Sequence, residues 1–199
     1  LLVEACVAMA QTARQEDGSF VAFCDNLRQL RYRDGLVDEY ASRIHYTSEW
    51  ILQAEARGLA AEMSADIAGS ALEQYFSYMS AHADIYPSLA SNKELTDRIA
   101  AVEERLGQNE YFFIPKTRLE SNLEKIRHGD MVCFVTTIKG LDVSHVGFAL
   151  HKDGMLTFIH ASLTAKKVIV NPISIQAYVE GIKHNNGVLF VRPLEQSLK

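Results

Sequence analysis

Ser144-His145-Val146-Gly147-Phe148-Ala149-Leu150 and Phe158-Ile159-His160-Ala161-Ser162, with Lys152-Asp153-Gly154-Met155 between them, decide how this chain is read. Each flank alternates as a strand does, and Asp153-Gly154 is a hairpin turn signal. A two-residue turn pairs Lys152 with Met155, which sets His145 opposite Ser162 and Gly147 opposite His160. Opposed residues share a face, so the two imidazoles become diagonal neighbours within reach of each other. A four-residue loop would set His145 directly opposite His160, and only an odd-length loop would separate them. Gly147 lacks a side chain and leaves room beside His160. Two histidines side by side on a rigid sheet suit a base and the group that orients it.

Outward from this hairpin the chain divides into a helical front and a strand-rich back. Met131 to Ile138, Lys167 to Val170 and Gly187 to Val191 also read as strands, with one helix near Ile173 to Ile182. The front predicts a helix to about Arg14 and a second from Val21 to Leu30. A third starts at Thr47, which can cap it, with Glu49 in the first turn. Ser91-Asn92-Lys93-Glu94 is a capping box ahead of a helical face formed by Leu95, Ile99, Val102 and Leu106. Thr117-Arg118-Leu119-Glu120 is another, predicting a helix that stops before Gly129. Asp34-Gly35 and His128-Gly129-Asp130 read as turns. Helices first and a mostly antiparallel sheet later is an α+β arrangement. The expected organisation is a single domain over 1–199, with a helical insertion around 60–110.

The chain has 199 residues, enough to bury a substantial core, and an ordinary composition. A net charge of −5 provides no basic stripe for phosphates, so nucleic acid is not an expected partner. No apolar run is long enough to cross a bilayer. Leu1-Leu2-Val3-Glu4-Ala5-Cys6 already reads as helix interior without a cap, so residues ahead of Leu1 are expected.

Several chemistries compete for the histidine pair. Singly, each histidine is more readily explained as a half-buried sheet residue satisfied by hydrogen bonds. Their shared face, Gly147, and the flanking Ser144 and Ser162 raise the functional reading. Zinc takes three or four ligands, and this chain has no H-E-x-x-H or Cys-rich pair. Asp142 and His45 could be assembled with the pair, but no spacing requires it, so neither metal nor another cofactor is expected. A serine nucleophile is weaker still, because no G-x-S-x-G elbow exists and Ser144 diverges from its neighbour His145. A cysteine suits the pair best, being most readily ionised at a helix N-terminus beside an imidazole. Cys6, Cys24 and Cys133 form no disulfide framework. The first two lie within helices and the third in an apolar strand, settings typical of buried hydrophobes.

Tyr32, Arg33, Arg43, His45, Tyr46 and Trp50 form a polar and aromatic cluster in the front half. It reads either as a solvated loop anchored by Trp50 or as a cleft wall. In a cleft, Arg43 would pair a substrate carboxylate and the rings would cover a sugar or peptide.

The histidine strands resemble the back half of the NlpC-type papain-fold cell-wall hydrolases. Arg31-Tyr32-Arg33-Asp34-Gly35, Ser42-Arg43-Ile44-His45-Tyr46, Ile114-Pro115-Lys116 and Gly140-Leu141-Asp142 are similar to the N-acetylmuramoyl-L-alanine amidase-like branch of that superfamily. The resemblance spans Val3 to about Pro193. It implies a papain-like core and a cysteine nucleophile in a segment of the type Asp-Cys-Thr-Thr-Phe-Val-Glu. Leu2-Val3-Glu4 matches the end of that segment, which puts the nucleophile about two positions ahead of Leu1. By the same resemblance His145 is the general base, His160 orients it, and Arg43, His45, Tyr46, Asp142 and Ser144 line the cleft. The implied substrate is peptidoglycan or its muropeptide fragments, cut at the N-acetylmuramoyl-L-alanine amide. A D-glutamyl–diamino-acid endopeptidase is the rival enzyme, and a non-catalytic peptidoglycan-binding module follows if no cysteine precedes Leu1. The implied location is periplasmic or secreted.

Overall fold

The hairpin closes as a two-residue turn. Lys152 pairs with Met155, and Asp153 and Gly154 both take positive φ, 51° and 77°, as a type I′ connection requires. Glycine meets that geometry without strain and aspartate tolerates it. The computed structural model describes residues 1–67 and 69–194.

The helices are α1 (Leu2–Thr12), α2 (Phe20–Arg31), α3 (Thr47–Ala56), α4 (Ser64–Ile67), α5 (Tyr78–Ala81), α6 (Lys93–Leu106) and α7 (Ile175–Gly181). The strands are β1 (Ala60–Glu62), β2 (Ser70–Ala71), β3 (Phe112–Pro115), β4 (Met131–Thr136), β5 (Val143–Lys152), β6 (Met155–Ser162), β7 (Lys167–Val170) and β8 (Asn185–Pro193). Among the described residues these strands form one sheet in the order β2-β3-β8-β4-β5-β6-β7, with β1 also on β8. Every pairing is antiparallel. The molecule is α+β. The 60–110 segment, expected to be helical, also contributes β1 and β2 to the sheet.

Period-two alternation splits the buried residues between two faces. Met131, Cys133 and Val135 of β4 pack with Val3 and Val7 of α1, Leu30 of α2, and Trp50 and Ile51 of α3. Val132 and Phe134 point the other way, into a cluster with Phe158, Phe190, and Ile175 and Val179 of α7. Because helices cover both faces, β4 is a continuous apolar run. A third cluster joins Tyr46, Phe76, Met79 and Leu89 to Ile99, Val102 and Leu106 of α6.

The capping signals require correction. Asn92, not Ser91, caps α6, its side chain accepting from the Leu95 N–H at 3.1 Å. Thr47 makes no cap bond. The start of α3 is satisfied instead by Asp142, which accepts from the Ser48 N–H at 2.7 Å. The helix expected after Thr117 is two 3₁₀ segments, Lys116–Arg118 and Glu120–Lys125. The Arg118 carbonyl already accepts from the Ser121 hydroxyl and the Asn122 amide, so short polar side chains take an acceptor that an α-helical N–H would need.

Candidate active site

His145 sits three residues into β5, just past a bulge at which Phe134 pairs with His145 but Val135 pairs with Val143. Such bulges re-aim side chains beside functional sites. Its ring stacks on Phe134 at 6.2 Å. From β6, His160 reaches it: His145 Nε2 and His160 Nδ1 are 2.7 Å apart, with ring planes nearly perpendicular. Phe158 and Tyr178 pack against His160 at 4.7 and 6.3 Å, so its position is set by aromatic walls. At Gly147 an added Cβ would lie 2.6 Å from the Ile159 carbonyl oxygen and 3.3 Å from the His160 Cβ. The close approach of the two strands at this point therefore requires glycine.

One N–H···N bond joins the rings, so at least one ring nitrogen must be unprotonated. Burial lowers the His145 pKa below its ordinary 6.5, and proximity to His160 lowers it further. Burial also lowers that of His160, with the Asn171 side chain opposing. His160 is only 6% exposed and His145 is half-buried. An accessible imidazole joined to an enclosed one has the arrangement that a base and its hydrogen-bond partner require.

The other expected site residues are distributed differently. Ser144 is exposed beside His145, its hydroxyl 3.1 Å from Asn185 Oδ1. Arg43 lies 3.7 Å from Glu4, which Arg31 also pairs at 2.9 Å, and Arg43 Nη1 is buried without a partner among the described residues. His45 is half-buried, packed at a tilt against the Tyr40 ring and held by the Tyr40 carbonyl at 3.0 Å. Burial depresses its pKa, and Arg43 and Arg33 add to the effect. Tyr46 and Asp142, expected on a cleft wall, are each only 3% exposed and make structural contacts. The Tyr46 hydroxyl donates to Glu103 at 2.5 Å, and Asp142 accepts from the Ser48 and Val143 N–H groups, both at 2.7 Å. Burial raises the pKa of both groups. Trp50 is a core residue, and Arg33 forms an ion pair with Glu49.

The family model described as AmiA-like, N-acetylmuramoyl-L-alanine amidase-like, matches residues 1–188. The chain belongs to the N-acetylmuramoyl-L-alanine amidase-like family. An N-acetylmuramoyl-L-alanine amidase from Bacteroides uniformis ATCC 8492 is 33% identical, with a TM-score of 0.92 over 98% of this chain and 82% of that one. A Bacteroides fragilis structure provisionally named a xylanase is 35% identical, with a TM-score of 0.90 over 96% of this chain and 84% of that one. A Legionella pneumophila protein, 19% identical, shares the fold at a TM-score of 0.66, covering 95% of this chain and 74% of that one. No curated protein matches the chain. Among the described residues of this amidase-like chain, no helix is long and apolar enough to cross a membrane.

None of the three thiols in the chain has the setting of a nucleophile. Cys133 pairs with Val146, so it lies on the sheet face opposite Phe134 and His145, and burial pushes its pKa far up. Cys6 is inside α1 and Cys24 is an exposed residue of α2.

Proposed function

We propose that this chain is the catalytic domain of a peptidoglycan hydrolase that cleaves the amide between N-acetylmuramic acid and L-alanine by cysteine catalysis. The observation that carries this reading is the 2.7 Å contact between His145 and His160, buried on one side and open on the other. The nucleophile is a cysteine about two residues ahead of Leu1, in the segment that leads into α1, where a helix start favours the thiolate. Packing of α1 against β5, the strand that carries His145, supports that placement. His145 draws the thiol proton, the sulfur attacks the amide carbonyl, and the protonated imidazole then protonates the leaving amine. Water hydrolyses the resulting thioester, with His145 again as the base. His160 keeps the ring in register. Proton transfer of this kind contributes about 10²–10⁴-fold. Arg43, whose buried Nη1 has no partner among the described residues, and exposed Ser144 are the groups proposed to face substrate.

The superfamily is that of the NlpC-type papain-like hydrolases, the chain acts as one domain, and the substrate places it in the cell envelope or outside the cell. The test is a muropeptide digest, with the protein expressed from its own start codon and the products identified by mass. Release of the intact stem peptide from muramic acid is expected, and it should be lost in His145→Ala with the fold retained. Cleavage within the stem would replace the amidase with an endopeptidase. Binding without turnover, or full activity of His145→Ala, would overturn the catalytic reading.

A further inference from the structure

His160 Nε2 is the unfinished part of the site. It is buried and, among the described residues, has no hydrogen-bond partner at ordinary geometry, an arrangement that proteins seldom leave uncompensated. The register supplies its neighbour. Ile159 pairs with Val170 and His160 with Ile169, and the Asn171 N–H donates to the Phe158 carbonyl at 2.8 Å. The ladder thus continues one residue beyond β7, and Asn171 lies on the His160 face, two residues along from the His160 partner. On β5, continuation of the Phe148–Ile159 pairing sets Gly147 opposite His160, with His145 two residues to the other side. Since β5 and β7 run in the same direction, His145, His160 and Asn171 form one diagonal row across three strands.

Chemistry fixes which way the Asn171 amide points. Its side-chain nitrogen is 3.0 Å from the Ile173 carbonyl, and a carbonyl only accepts, so Nδ2 faces Ile173 and Oδ1 is turned away. The backbone is equally constrained, since the buried Thr157 hydroxyl is 2.7 Å from the Asn171 carbonyl oxygen. Asn171 is 7% exposed. The Asn171 side chain also opposes the lowering of the His160 pKa by burial.

We propose that Asn171 is a positioning residue whose Oδ1 accepts the Nε2–H of His160, leaving His160 Nδ1 as an acceptor, making His145 donate from its own Nε2, and freeing His145 Nδ1 to act as the base. This rests on the reading of His145 as the base, but it can be tested without turnover. Long-range nitrogen–proton spectra of the ¹⁵N-histidine-labelled full chain report the tautomer of each ring. Both His145 and His160 should carry their proton on Nε2 in the wild type. Asn171→Leu, which removes the acceptor, should shift the His160 proton to Nδ1, whereas Asn171→Asp should keep the wild-type pattern. With substrate, Asn171→Leu should lower kcat about tenfold or more, a part of the ~10²–10⁴ supplied by a general base, with KM little changed. A wild-type His160 protonated on Nδ1 overturns the proposal even if a variant fails to fold. So does a folded Asn171→Leu protein with unchanged tautomers. Failure of the hydrolase reading is a separate result, visible as full activity in His145→Ala.

Discussion

Gly147→Ala probes whether the spacing of β5 and β6 holds the histidine pair together. The added methyl would sit 2.6 Å from the Ile159 carbonyl oxygen, 3.0 Å from the Phe158 ring and 3.3 Å from the His160 Cβ. The nearest of these is backbone of β6, held by pairing to both β5 and β7, so no side-chain rotation relieves the clash. Overpacking of this kind costs about 1–3 kcal/mol. For a domain of this size each kcal/mol moves Tm by roughly 2–4 °C, which predicts a fall of about 2–12 °C. The strands must also part beside His160, and a misplacement near 1 Å in a catalytic constellation can cost ~10²-fold in rate. Gly181→Ala is the control. Its added Cβ meets nothing within 4 Å at the end of α7, so it should be neutral or stabilising by about 0.4–1 kcal/mol. Thermal and urea melts of both variants, with imidazole NMR of the pair, check the expectation. A Gly147→Ala protein within about 0.5 kcal/mol of wild type and with the His145–His160 contact intact would refute the reasoning, because surface-like tolerance is incompatible with that clash.

Three other expectations follow from the same geometry. Burial keeps His145 and His160 below the ordinary imidazole value of 6.5, so the unfolded chain binds more protons below that pH. Stability is therefore complete above about pH 6.5 and falls away as the pH drops towards the folded values. Urea midpoints at pH 7.5 and 5.5 should show a smaller acid loss in the His145→Gln, His160→Gln double variant, and an equal or larger loss would contradict the shifts. Asn92→Ala should destabilise by roughly 0.5–2 kcal/mol while Ser91→Ala changes little, since only Asn92 bonds to the Leu95 N–H. In native thiol labelling of the three cysteines within 1–199, exposed Cys24 should react first, half-buried Cys6 more slowly, and Cys133 only on unfolding. Early reaction of Cys133 would show that β4 opens locally.

How far the sequence could be read depended on how local each constraint was. The β5–β6 hairpin was legible because Asp153-Gly154 sets a two-residue turn, and parity then carries both histidines to one face. The apolar run of β4 and the face of α6 were legible for the same reason, since each repeats at its own period over neighbouring residues. The hydrogen bonds of Asp142 and Tyr46 were not legible because their partners are distant in the chain, Ser48 lying 94 residues from Asp142 and Glu103 lying 57 from Tyr46. A polar residue serving as a remote cap has the same sequence signature as one lining a cleft. Asn171 falls between these cases. Four residues separate Ser162 from its partner Lys167, and that loop carries no signal as decisive as Asp153-Gly154, although Lys166 takes positive φ. Had the loop been one residue longer or shorter, Asn171 would have faced away from His160. The diagonal row is therefore a consequence of turn parity at two successive hairpins, and an insertion in either turn should separate its members even with every site residue retained.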